Sequence, residues 1–224
     1  MQPYRYYPGT KPLLISVPHS GTYVPPEILE RLTGPAKRLP DTDWHVDRLY
    51  DFARGLGAHL LVATHSRYVI DLNRGPDDAS LYPGKFTTGL CPTTMFDGSP
   101  LYVDGKGLRD GEVEERRKRY WQPYHDKLAE ILQTEQGEAR SGGVWGKAPF
   151  KKILFDAHSI ASEVSTLFEG VLPDLNLGTA DGATCPPELE SQLLRIAGSG
   201  PYSAVLNGRF KGGYITRHYG NPSG

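Results

Sequence analysis

Three short apolar runs, far apart in the chain, each stop at a polar cluster, and this pattern restricts the possible folds more than any other feature. Pro12-Leu-Leu-Ile-Ser-Val17 runs into Pro18-His19-Ser20-Gly21, Arg67-Tyr-Val-Ile-Asp71 into Leu72-Asn73-Arg74, and Lys152-Ile-Leu-Phe-Asp156 into Ala157-His158-Ser159. Continuous β-branched runs bounded by turn residues read as buried strands. His59–Thr64 is a fourth such run, and Leu167–Glu169 and Tyr214–Arg217 are shorter candidates. Between them lie helical patterns. Asp41-Thr-Asp43 can cap a helix carrying Val46, Leu49, Tyr50 and Ala53, ended by Gly55 and Gly57. From Glu112 to Leu132 apolar and aromatic residues recur every three or four positions, predicting the longest helix, kinked or bounded at Pro123. Leu189–Ile196 reads as a short helix, and the segment from Pro76 to Gly111 as a loop or lid. Strands alternating with helices predict an α/β fold, a mixed and mostly parallel sheet flanked by helices, in a single domain over 1–224.

Composition removes whole classes of function. With 25 Lys+Arg against 26 Asp+Glu the formal charge is -1, so the chain lacks the basic excess of a nucleic-acid binder. No stretch approaches the roughly 18 consecutive apolar residues of a membrane span, and Met1-Gln2-Pro3-Tyr4-Arg5 lacks the apolar core of a signal peptide. Cys91 and Cys185 are too few for a disulfide framework and lack Cys-x-x-Cys spacing. The expectation is a cytoplasmic protein with bystander thiols, acting on a small molecule.

In open α/β sheets ligands gather at the carboxyl edge of the strands, so the three polar clusters are predicted to converge. Two histidines from distant strands, His19 and His158, plus a carboxylate form a donor set suited to catalytic zinc or another divalent metal. Asp43 and Asp47 both compete for the carboxylate position, being four apart on one predicted helix face. Asp156 precedes His158 by two, so its carboxylate can orient that imidazole. Arg67 and Arg74 bracket the second run and, with Asn73, offer forks and an amide for a small anionic substrate. Arg116 on the long helix and Ser159 join them as candidate substrate contacts. Tyr120, Trp121 and Tyr124 read as core, and His45, His59, His65 and His125 as structural. No Gly-x-Ser-x-Gly elbow or phosphate-binding glycine motif occurs.

Six strings in order carry a family resemblance: Pro18-His-Ser-Gly21, Asp41-Thr-Asp-Trp-His-Val-Asp-Arg-Leu-Tyr50, Ser66-Arg-Tyr-Val-Ile-Asp-Leu-Asn-Arg74, Tyr120-Trp-Gln-Pro-Tyr-His125, Asp156-Ala-His-Ser159 and Leu172-Pro-Asp-Leu-Asn-Leu-Gly-Thr179. Together they resemble the N-formylglutamate amidohydrolases from about residue 12 onward. The resemblance implies a metal-dependent hydrolase that releases formate and glutamate at the end of a histidine degradation route. It implies a sheet similar to that of zinc carboxypeptidases and aspartoacylases. His158 is then a metal ligand, Asn73 and Arg74 are substrate contacts, and Arg217 is a further contact for glutamate carboxylates. Asp43, preferred over Asp47, would complete the metal set. It also implies a further strand after Gly220 with a Gln-Leu-Glu segment whose Glu acts as general base. The chain stops at Gly224, so Asp43 or Asp47 is the fallback for proton transfer. The alternatives are a deacylase of another N-acyl amino acid and an anion-binding homologue with impaired catalysis.

Overall fold

The computed structural model describes residues 1–79, 87–133 and 152–221. Its main sheet has four strands, β1 (Tyr4–Tyr7), β2 (Leu13–Val17), β3 (His59–Ala63) and β4 (Ile153–Asp156), in the order β1-β3-β2-β4. β2 pairs in parallel with both β3 and β4, and only β1 runs antiparallel. The expected mixed, mostly parallel α/β sheet is therefore present. β2 and β3 bury side chains alternately on both faces, which is why their runs are apolar throughout. Leu14, Leu61 and Ala63 pack on one face with Tyr124 and Leu128, while Ile15, Val17, Leu60 and Val62 pack on the other with Val46 and Ala53. The chain leaves β2 toward β3 and returns on β2's other side as β4. That arrangement opens a crevice between the tips of β2 and β4.

The helix expected from Asp41 forms as two short pieces, α2 (Val46–Leu49) and α3 (Phe52–Gly55), after the small helix α1 (Pro26–Leu29). The reason is a tertiary bond: the Asp43 N–H donates to the His19 carbonyl at 3.0 Å, docking this segment on the tip of β2, and His45 follows with φ 65°. The long helix is continuous through α4 (Glu112–Arg116), a π-helical turn (Arg117–Trp121) and α5 (Gln122–Gln133). The widened turn lies just before Pro123, where it relieves the clash a proline ring makes with the carbonyl four residues back. Tyr120, Trp121 and Tyr124 are core, as predicted.

Three predicted strands are not strands. Arg67–Asp71 folds as successive turns, because Ser66 Oγ accepts from the Tyr68 N–H and Asp71 Oδ1 from the Asn73 N–H. Tyr214–Arg217 lies in a helix, α7 (Tyr214–Tyr219), whose Ile215 N–H donates to Asn73 Oδ1 at 2.8 Å. Gly213 permits that approach, since a Cβ there would stand 2.3 Å from the Asn73 amide nitrogen. Leu167–Glu169 forms a turn. A second sheet pairs β5 (Leu175–Leu177) with β6 (Ala204–Leu206) in parallel through α6 (Pro187–Ala197), which contains the predicted Leu189–Ile196 helix. Of the expected loop or lid, 80–86 lies outside the described residues, whereas Leu90, Met95, Leu101 and Tyr102 are buried in the core.

Leu61, fully buried at the centre of β3, sets a stability expectation: Leu61→Ala should cost about 2–5 kcal/mol by urea denaturation, and a loss below about 1 kcal/mol would show that this face is loosely packed.

Candidate functional site

At the β2–β4 crevice the tips deliver the two histidines face to face. His19 follows β2 in a turn made possible by Gly21, where a Cβ would stand 2.3 Å from the His65 carbonyl oxygen. His158 follows β4. Their Nδ1 atoms are 3.2 Å apart, and Asp43 Oδ2 lies 3.1 Å from that of His158 and 3.9 Å from that of His19. These three atoms form the one group suited to holding a metal ion among the described residues. His19 and Asp43 are buried, and the His158 side chain is 33% exposed at the mouth.

The remaining ring nitrogens are anchored. His19 Nε2 donates to Asp71 Oδ1 at 2.7 Å and His158 Nε2 to Asp156 Oδ2 at 2.8 Å. With no proton beyond the one on each Nε2, as a bound cation would require, both Nδ1 lone pairs would face one another and a carboxylate oxygen, the carboxylate–histidine pairing of metal sites. Arg67 is buried beneath, its Nη2 donating to Asp71 Oδ2 at 3.0 Å and its Nη1 lying 3.7 Å from Asp43 Oδ1. Asp43 is completed by the Ser159 N–H at 3.1 Å.

The electrostatics follow from this packing. Burial, reinforced by Arg67, lowers the His19 pKa and keeps its imidazole neutral. Burial opposes ionisation of Asp43 and Asp71, but their cationic and hydrogen-bonded neighbours outweigh it, depressing Asp43 and holding Asp71 well below the usual carboxylate range. For His158, burial opposes the charge, yet the Asp156 carboxylate and the bonds to Asp156 and Asp43 push its pKa up to about 10. The site demands positive charge between its donors, and in the bare chain a proton on His158 supplies it.

The Asp71–Arg74 turn is fixed from behind. His125 Nε2 donates to the Leu72 carbonyl at 2.9 Å, the Tyr214 N–H to that of Asn73 at 3.4 Å, and Trp121 Nε1 to that of Arg74 at 3.0 Å. Trp121 and His125 stack with centroids 3.7 Å apart. Trp121, expected in the core, and His125, expected to be structural, are both buried, and their hydrogen-bond partners lie in the site segment.

The sequence-predicted residues divide accordingly. His19, Asp43, Asp156, His158, Arg67, Asn73 and the Ser159 backbone come together. Asp47 does not: it sits on α2 with its carboxylate 3.0 Å from Arg5. Arg116 is displaced as a substrate contact, because it is buried and donates to the Val69 carbonyl at 2.9 Å, to Tyr102 Oη at 3.1 Å and to Glu112. Arg217 is exposed on α7 and donates to the Gly212 carbonyl. Asn73 bridges α7 and the site, its Nδ2 donating to Asp156 at 3.2 Å. Arg74 donates through Nε to the Thr88 carbonyl at 2.9 Å, leaving its outer guanidinium nitrogens without a partner among the described residues. In the sequence Asp71 marks only the end of an apolar run, and its spacing before Asn73-Arg74 is the signal that points to the site.

A sequence profile described as N-formylglutamate amidohydrolase matches residues 11–224. The chain belongs to this family. It is 52% identical over 219 residues to the N-formylglutamate deformylase of Pseudomonas aeruginosa, covering 96% of this chain and 77% of that protein. The enzyme of the same name from Pseudomonas putida is 47% identical over 219 residues, covering 97% and 78%. Among solved structures, the N-formylglutamate amidohydrolase of Ralstonia eutropha JMP134 superposes with a TM-score of 0.78 at 27% identity, covering all of this chain and 82% of that one. A gene product of Agrobacterium tumefaciens shares the fold at a TM-score of 0.64 and 17% identity, covering 94% and 75%.

Arg116→Ala tests the division. It should lower stability by about 3 kcal/mol in chemical denaturation, as breaking a buried ion pair does, while the KM of the folded variant stays within about twofold of the parent's. A raised KM with unchanged stability would return Arg116 to the substrate site.

Proposed function

We propose that this chain hydrolyses N-formyl-L-glutamate to L-glutamate and formate, the last step of a histidine degradation route, and that it does so with a divalent metal, zinc first among them. Membership of the amidohydrolase family supports the reaction. The observation that supports the metal is the convergence of the two Nδ1 atoms and Asp43 Oδ2. Ligands about 2.0–2.1 Å from a tetrahedral zinc stand about 3.3 Å from one another, close to the 3.1, 3.2 and 3.9 Å found here. Three carboxylates, Asp43, Asp71 and Asp156, surround this pair of imidazoles with Arg67 as the buried guanidinium among them, so the local charge suits a dication.

His19, Asp43 and His158 would hold the metal, whose contribution when bound is Lewis acidity toward a carbonyl and toward water. The protein's own residues orient that chemistry. Asp71 and Asp156 keep the rings turned with Nδ1 inward. Against its burial, Asp43 is favoured as a carboxylate by His158 first, then by His19 and Arg67, and it also accepts the Ser159 N–H. Arg74, with guanidinium nitrogens to offer, is placed to take a substrate carboxylate in bidentate fashion. The substrate is thus a small anion. No helix among the described residues is long and apolar enough to cross a membrane. Free Cys91 and Cys185 fit a reducing cytoplasm, where we place the reaction.

Elemental analysis of protein purified without chelator, with formate release assayed on the same sample, tests this reading. About one zinc per chain with turnover is expected. His158→Ala should lose the metal and at least about 100-fold in turnover, whereas Asp47→Asn should keep both. Turnover in metal-free protein, or a fully active His158→Ala variant, would contradict the metal assignment.

A further inference from the structure

β2 carries one polar side chain in an otherwise apolar strand, Ser16, which is fully buried between two parallel neighbours. In register it lies opposite Asp156 on β4. Its Oγ donates to Asp156 Oδ1 at 2.8 Å. With that hydrogen committed, Ser16 Oγ accepts from Tyr124 Oη at 3.0 Å, and Tyr124 is also completely buried. The other acceptor near Tyr124 Oη is the Leu61 carbonyl at 3.5 Å, so the hydroxyl favours Ser16. The result is a directed chain, Tyr124 O–H to Ser16 O–H to Asp156 Oδ1, rooted in α5. Asp156 Oδ2 then takes the His158 Nε2–H at 2.8 Å and the Asn73 amide at 3.2 Å.

The two histidines are therefore anchored by different means. Behind His19 stands Asp71, clamped by the Arg67 guanidinium and the Asn73 N–H. Behind His158 stands Asp156, whose Oδ1 is held by a core hydroxyl. His158 lies past the end of β4 and is a third exposed, so packing fixes its ring less than it fixes His19. The bond between the two hydroxyls contributes little net stability, since Ala and Phe in their place would remove its donor and its acceptor together. The bond that counts is the one to Asp156 Oδ1, a buried carboxylate oxygen that Ser16→Ala would leave without this donor. What the hydroxyls do for the site is supply Asp156 with a donor on the side away from His158.

We propose that Ser16 and Tyr124 are positioning residues for the metal site, a buried hydroxyl chain that fixes Asp156 and through it turns His158 Nδ1 toward His19 and Asp43. This rests on the metal reading given above. Its contribution lies in metal retention and not in substrate binding, which separates it from a merely structural role.

The test is zinc affinity, measured by competition with a chromophoric chelator on the full chain stripped of metal, alongside KM for N-formyl-L-glutamate at saturating zinc. Ser16→Ala should weaken zinc binding about 10–100-fold, the usual cost of losing support behind a metal-bound histidine, with KM within about twofold of the parent's. Tyr124→Phe, which keeps the core volume and the Ser16–Asp156 bond, should weaken it less, by about 3-fold, and serves if Ser16→Ala does not fold. Parental zinc affinity in the folded variants would overturn the proposal while leaving the metal site intact. A parent chain that binds no zinc would overturn the metal reading and this proposal together.

Discussion

Two imidazole nitrogens and a carboxylate oxygen held within 4 Å of one another repel unless a cation sits among them, and the rest of the architecture keeps them there. Each imidazole is prevented from turning away by a carboxylate on its far nitrogen. Each carboxylate is in turn held by groups with no freedom to leave: Arg67 and the Asn73 N–H behind Asp71, Ser16 and the Asn73 amide behind Asp156. A low-dielectric surrounding makes this arrangement strong when satisfied and costly when not.

The sheet explains how such a cluster is built from residues more than a hundred positions apart. Parallel β2 and β4 end at the same edge, so His19 and His158 emerge side by side. The Asp43 segment reaches them because its N–H bonds to the His19 carbonyl instead of opening a helix. Asn73 joins the layers: its side-chain oxygen receives the first turn of α7 while its nitrogen steadies Asp156. Stability and site geometry thus share the same atoms in the Asp71–Arg74 turn, whose carbonyls are capped by Trp121, His125 and Tyr214.

The strands β2, β3 and β4, the long helix and the pair His19–His158 were legible in the sequence because apolar runs and their polar endings are local signals. The choice between Asp43 and Asp47 was not, since helical spacing made them equivalent until a tertiary hydrogen bond broke the helix between them. Tyr-Ile-Thr at 214–216 reads as strand by β-branching, but an N–H acceptor from Asn73, far away in sequence, makes it helical. Arg116 shares a stripe with Tyr120 and Tyr124 and looked available to substrate; only burial shows its guanidinium occupied by core carbonyls. The short strands β1, β5 and β6 carry too few residues to announce themselves by alternation. Family-level strings named the chemistry where periodicity could name only the fold class.

X-ray absorption at the zinc edge of the zinc-loaded chain tests the central claim most directly, because it counts imidazole neighbours around the metal without reference to turnover. The account predicts two imidazoles per zinc in the parent and one in His19→Ala. A shell of oxygen neighbours without imidazole scattering would contradict it.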